Sequence, residues 1–309
     1  WAHRRDDQGG NNAKTYVYKR LIRIYPPFIL ISAVMYLAYI FLPGLSEVGR
    51  EIGALSSFLL IPQEYASPAL SVSWTLMHEL LFYCVFLIFY FNRKMLPVAF
   101  ALWAIAILTY PLLGFKSFWG DFLLSMHNIQ FLLGVVLSYF FWKYDQLIDA
   151  ITGNKIYPIL LLFFSLFILT FLVSEKAYIS NAIPPNYYTF WLGLGFFSLI
   201  FSLLVTEKAL LFKGVFNSKI LLFLGASSYS IYLFHNPALS ILNRIFSKIV
   251  SLYPMLSLDL VFILIVAIAT IGGIFYYILW ERPALNVMNK LIFPKGKKSE
   301  STNTNLAKE

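Results

Sequence analysis
Three short segments carry polar side chains where the surrounding residues are apolar. In Ser71-Val-Ser-Trp-Thr-Leu-Met-His-Glu-Leu-Leu-Phe-Tyr83, His78 and Glu79 stand about one turn inside an apolar run. At 1.5 Å per residue, Glu79 lies roughly 7 Å beyond Trp74. A carboxylate held there in low dielectric can take a proton from an alcohol or orient the base that does. It can equally be a buried Glu that fixes helix packing. Neighbouring helical residues point about 100° apart, so His78 and Glu79 do not face one pocket together.

The second segment is Leu224-Gly-Ala-Ser-Ser-Tyr-Ser-Ile-Tyr-Leu-Phe-His-Asn-Pro237. Tyr229, Tyr232 and His235 recur every three residues and form a polar stripe, with Pro237 placed to kink the helix beyond it. By depth the stripe can share a pocket with Glu79, where Tyr229, Tyr232 and His235 would bind substrate, or serve interhelical hydrogen bonding. The third is Tyr18-Lys-Arg-Leu-Ile-Arg-Ile-Tyr-Pro26, where Arg20 and Arg23 share one helical face. Guanidinium groups grip phosphates bidentately, although basic residues at a helix end also set topology and touch lipid headgroups. Trp280-Glu-Arg-Pro283 reads as a local ion pair and a helix stop.

These residues must be positioned by elements that suit lipid. The chain has 309 residues, 59% apolar and 13% charged, with a mean hydropathy of +0.72. A soluble domain is about 45–50% apolar and about 25% charged, so the excess must face hydrocarbon. The fold class is therefore all-α, a polytopic helical membrane bundle, since lipid tolerates only helices or closed barrels and no strand-like alternation is present. Eight spans are predicted, at about 25–42, 74–91, 96–113, 129–142, 157–173, 188–205, 220–242 and 259–280. Segment 51–62 is expected to be a short interfacial helix, and residues 1–15 and 294–309 to be polar and disordered.

Of the 24 Lys and Arg, 19 fall in the two ends and alternate loops and five in the others. Basic residues stay cytoplasmic, which places both ends of the chain on that side. The net charge of +9 is thus mostly a topology signal, and scattered bases make no nucleic-acid surface. One cysteine, Cys84, allows no internal disulfide, and the four dispersed histidines (His3, His78, His127, His235) give no metal site. No permanently bound cofactor is expected.

The segments resemble, in order, the motifs of the membrane acyltransferase 3 family, in particular its exopolysaccharide O-acyltransferase branch. Lys19-Arg-Leu-Ile-Arg-Ile-Tyr-Pro26 is similar to the family's Arg-x-x-Arg-Ile-Tyr-Pro, and Trp74-Thr-Leu-Met-His-Glu-Leu-Leu-Phe-Tyr83 to its Trp-Thr-Leu-x-x-Glu-x-x-Phe-Tyr. Gln130-Phe-Leu-Leu-Gly134, Leu224 to His235 and Glu281-Arg-Pro283 match further motifs. The resemblance implies a ten-span enzyme of the bacterial inner membrane that moves an acyl group, usually acetyl, from acyl-CoA to a sugar hydroxyl of an exported or surface glycan. The family's first span carries a His regarded as catalytic and its second ends in Phe-Phe-x-x-Ser-Gly-Phe. Neither is present here, and the chain begins with Trp1, so it is expected to lack the first two helices.

By that resemblance Arg20 and Arg23 would hold the phosphates of acetyl-CoA or another acyl-CoA at the cytoplasmic face. Glu79 and His78 would be the catalytic candidates, Glu79 orienting the missing His, and His235 with Tyr229 or Tyr232 would line the pocket of the glycan or lipid-linked saccharide acceptor. The expected partners are thus acyl-CoA, the acceptor and membrane lipids. A transporter or flippase of lipid-linked glycan, or an inactive remnant, are the alternatives.

Overall fold
A computed structural model describes residues 10–42, 50–174, 185–209, 218–253 and 257–292. Among these the secondary structure is helical, apart from one isolated bridge between Ile52 and Ser67. The helices are α1 (Gly10–Phe41), α2 (Ser73–Phe86), α3 (Ile88–Phe91), α4 (Met95–Thr109), α5 (Phe118–Leu123), α6 (His127–Lys143), α7 (Asp145–Thr152), α8 (Ile156–Ser174), α9 (Pro185–Lys208), α10 (Lys219–Leu252), α11 (Leu258–Tyr276) and α12 (Arg282–Ile292). The all-α bundle expected from composition is what the chain forms.

Among the described residues, seven helical stretches are long and apolar enough to cross a membrane: Asn12–Phe41, Ser73–Phe91, Met95–Leu112, Phe118–Lys143, Ile156–Ser174, Tyr187–Lys208 and Leu258–Ile292. Most of the surface of each is uncovered by protein, as lipid-facing helices require. The predicted span 220–242 lies within α10, which is long enough to cross. The Ser, Tyr, His and Asn of its polar stripe make it less apolar than the other seven.

Three boundaries differ from expectation. Helix α1 starts at Gly10, inside the stretch expected to be a disordered arm, and its first turns already bury Ala13 and Tyr16, three apart on one face. The fourth span, predicted to start at 129, begins at His127 and follows the short α5. Segment 51–62 is no interfacial helix. It holds a five-residue π-type turn, Leu55–Leu59, because side chains compete with the helical ladder there. Ser56 and Ser57 donate to the carbonyl of Gly53, Gln63 Oε1 accepts from the Ser56 amide at 3.1 Å, and Ser57 Oγ accepts from Ala69 N at 2.8 Å. Residues 1–9 and 293–309, including the tail predicted from 294, lie outside the described residues.

The chain divides into two compact units. One comprises Trp1–Thr15 and Thr75–Phe223. Its core is built from Leu96, Phe100 and Ile107 of α4 against Met126, Ile129 and Leu132 around the start of α6. Phe82 of α2 is stacked between Phe100 and Phe131, at centroid distances of 5.9 and 5.2 Å. Helices α8 and α9 pack together and share a buried hydrogen bond between Ser165 and Ser202 at 2.8 Å. At the far end of α9, Lys208 pairs with Asp145 and, at 2.8 Å, with Asp149 of α7.

The other unit comprises Tyr16–Trp74 and Leu224–Glu309. Here α1 runs through Pro26 and Pro27, which remove two backbone donors and bend a helix. Donors from elsewhere converge on carbonyls at these two prolines. Tyr229 reaches Ile24 O at 3.0 Å, Trp280 Nε1 reaches Pro26 O at 2.9 Å, and Tyr276 reaches Pro27 O. Helix α11 approaches α10 so closely that a Cβ on Gly273 would stand 2.6 Å from Ile231 Cα.

Candidate functional site
In the first unit, Asn128 organises the polar end of α2. It is fully buried, and its Nδ2 donates to the carbonyls of Phe122 and Leu123 at 3.1 and 3.0 Å. With the amide nitrogen so committed, Oδ1 is left to accept from His78 Nδ1 at 2.9 Å. His78 therefore carries its proton on Nδ1 and its lone pair on Nε2. The His78 ring, only 7% exposed, lies 4.7 Å from Phe122 and 6.0 Å from the roughly parallel ring of His127.

Glu79 goes elsewhere. Its carboxylate accepts a hydrogen bond from Tyr83, one turn further along α2, and is half-buried. The divergence expected from the 100° step is what the helix shows: His78 turns to α6, while Glu79 stays with its own helix. Sequence reasoning did not single out Asn128 or pair His78 with His127. A signal was available, since Asn128 is an amide at the edge of an apolar run.

The second unit holds the remaining candidates. Arg20 is half-buried with its guanidinium over the Tyr16 ring, 5.2 Å from the centroid, and Arg23 is exposed one turn on. On α10, Tyr229 and Tyr232 direct their hydroxyls to backbone, to Ile24 O and to Val72 O at 3.1 Å. The ring of His235 packs on Tyr232, at 5.6 Å between centroids, and its Nδ1 donates to the carbonyl of Tyr232. That bond leaves the lone pair on Nε2. Asn236 Oδ1 accepts from Ser71 Oγ at 2.6 Å. The stripe thus fastens residues 71 and 72, the approach to α2, while Glu79 belongs to the other unit.

The segment Trp280 to Pro283 departs from expectation. Glu281 makes no local helix-stopping pair. It ends a π-type turn, Tyr277–Glu281, whose wider pitch turns the carboxylate inward. It is 4% exposed and accepts from buried Ser230, and the Arg23 guanidinium attracts it. Helix α12 then runs on from Arg282, and Pro283, which has no amide hydrogen to give, follows just after the π-type turn where the ladder already changes register. A buried carboxylate on a π-bulge is a frequent mark of a working site. Among the described residues no group of three or more His, Cys, Asp or Glu could hold a metal ion.

The sequence model of one protein family, acyltransferase 3, described as an acyltransferase domain, matches residues 7–289. The chain belongs to that family. It is a membrane acyltransferase, and Arg20, Arg23, His78, Glu79, Asn128, His235 and Glu281 all fall within the matched stretch. No curated protein and no solved structure matches the chain. An acyl transfer needs a base for the attacking group and donors for the oxyanion that forms. Carboxylates and neutral imidazoles have the chemistry for the first task.

Proposed function
We propose that this acyltransferase moves an acyl group, acetyl in the first instance, from acyl-CoA to a sugar hydroxyl of an exported or cell-surface polysaccharide. It would do so in the bacterial inner membrane as a member of the exopolysaccharide O-acyltransferase branch, with the Arg20 end of α1 on the cytoplasmic side. The family match over residues 7–289 carries the acyl transfer. The arginine pair on the basic end of α1 supports an anionic thioester donor, because guanidinium groups take phosphates in a fork.

In the proposed reaction the acceptor oxygen attacks the thioester carbonyl, its proton passes to a base, and the tetrahedral oxyanion collapses to release CoA as the thiol. Arg20 and Arg23 hold the CoA phosphates. Glu79, with the hydroxyl of Tyr83 fixing its carboxylate, orients the base or takes the proton itself, and His78, turned to Asn128 on another face of the helix, is the second catalytic candidate. Tyr229 and Tyr232 hold the backbone of the acceptor path, and His235 presents its ring to the acceptor.

The test uses the full chain in lipid vesicles with radiolabelled acetyl-CoA and a neutral bacterial exopolysaccharide. Label is expected to appear in the polysaccharide. Glu79→Gln should abolish transfer and leave membrane insertion intact, and transfer retained in that variant sinks the role of Glu79. Arg23→Ala should weaken CoA binding by about ten- to hundredfold, the equivalent of losing a charge-assisted hydrogen bond of ~1.5–3 kcal/mol.

A further inference from the structure
The first unit contains a cleft of about 300 Å³ that none of the residues discussed for acyl transfer was chosen to explain. Its polar walls are Tyr110, Lys116, Asp121, Ser125, His127 and Thr189. They come from the turn after α4, the loop that follows it, α5, the start of α6 and the start of α9. The three long helices among these have their basic residues at the other end: Arg93 and Lys94 precede α4, Lys143 closes α6 and Lys208 closes α9. The cleft therefore opens at the end of this unit that is poor in Lys and Arg, the side on which non-cytoplasmic loops lie.

The cleft is built rather than incidental. Tyr110 is 8% exposed, and its hydroxyl donates to Asp121 Oδ1 at 3.0 Å while accepting from the Ser117 amide at 3.2 Å. Ser117 Oγ in turn caps α5 by accepting from Gly120 N at 3.1 Å. Position 120 must be glycine for this to happen, since a Cβ there would sit 2.4 Å from the Tyr110 hydroxyl. A buried phenol thus fixes the orientation of an exposed carboxylate. On the opposite lip, Ser125 Oγ and His127 Nδ1 lie 3.1 Å apart, and the His127 ring backs onto His78.

The chemistry of the walls selects the ligand. Lys116 and Asp121 bring one charge of each sign and are not paired with one another, so a phosphate or an ammonium would meet repulsion as well as attraction. An uncharged ligand with neighbouring hydroxyls meets neither. Its hydroxyls can donate to the carboxylate, accept from the ammonium and exchange hydrogen bonds with Ser125, His127 and Thr189. Phe115 and Trp119, exposed in the adjoining loop and helix, offer flat apolar faces suited to the C–H side of a ring. The volume lies at the low end of small-molecule sites, about 300–1,000 Å³, which suits a sugar ring and excludes a whole CoA.

We propose that this cleft is a sugar-binding subsite that takes an uncharged, hydroxyl-rich ring of the acceptor glycan. The proposal rests on the acceptor class put forward above. It is tested by saturation-transfer NMR on the full chain in lipid nanodiscs. The probes are neutral oligosaccharides from partial hydrolysis of a bacterial exopolysaccharide, together with methyl glucoside, galactoside and mannoside. At least one probe is expected to receive saturation. Asp121→Asn and Lys116→Gln should each weaken that binding about tenfold, as should Gly120→Ala, which displaces the Tyr110 hydroxyl and so frees Asp121 from its hold while leaving both charged walls in the sequence. No transfer to any probe with the unaltered chain, or binding that survives Asp121→Asn in a folded sample, overturns the proposal. CoA binding is measured on the same samples: its absence from the unaltered chain refutes the donor assignment and leaves a sugar-binding cleft in place.

Discussion
Gly273 offers the sharpest test of how the second unit is held together. An alanine Cβ at this position would lie 2.6 Å from Ile231 Cα and 3.0 Å from its Cγ1, whereas carbon atoms pack at about 3.5–4.0 Å. The obstruction is backbone, so relief requires α11 to retreat from α10 by roughly 1 Å. Overpacking of this kind costs about 1–3 kcal/mol. The retreat would also draw Tyr276, Trp280 and Glu281 away from Pro27, Pro26 and Ser230, because they continue the same helical stretch. The neighbouring glycine supplies the control. A Cβ on Gly272 would meet only the ring edge of Phe234, at 2.3 Å, and a ring edge can swing aside. Gly273→Ala should therefore lower the resistance of the chain to unfolding by SDS in mixed micelles by about 1–3 kcal/mol, and Gly272→Ala by less than about 1 kcal/mol. Equal effects, or the reverse order, would refute the reasoning that backbone contact governs this interface.

Three further predictions concern buried polar atoms. Ser73 Oγ is sealed and has no hydrogen-bond partner, so Ser73→Ala should stabilise the chain by roughly 1 kcal/mol by removing an unsatisfied group; a loss of stability in the same micelle titration would contradict this. Glu281→Ala and Ser230→Ala, made singly and together, should be non-additive by about 0.6–1.7 kcal/mol, the span measured for hydrogen bonds between membrane helices. Glu281→Gln should lower the KM for acetyl-CoA by removing the negative charge that competes with phosphate for Arg23, and an unchanged KM would detach Glu281 from the donor site.

Composition and run length made the helical membrane fold legible, because hydrocarbon excludes nearly every other architecture. The positions of Arg20, Arg23 and Glu79 along their helices could also be read, since 1.5 Å per residue is a property of any helix. What could not be read was direction. The sequence places Glu281 beside Arg282, and only the π-type turn sends its carboxylate to Ser230. Spacing likewise marks Tyr229 and Tyr232 as one stripe, but their carbonyl partners belong to residues 24 and 72, and no local pattern announces a contact of that range. Segment 51–62 failed as a helix for a related reason. Its apolar content is that of an interfacial helix, while the outcome was decided by two serine hydroxyls and a glutamine reaching back to the backbone.

The bend in α1 has a consequence for the order of events during synthesis. Its carbonyls are satisfied by Tyr229, Tyr276 and Trp280, residues 205, 249 and 254 positions downstream of their acceptors. At about 5–20 residues per second, roughly ten to fifty seconds separate the emergence of the bend from the arrival of its partners. Throughout that interval the stretch around the two prolines is held by its own interrupted ladder alone, without the side-chain donors that later fasten it. The bend is thus a late-closing clasp: the arginine pair one turn before it reaches its final setting only when the last span has been made and docked.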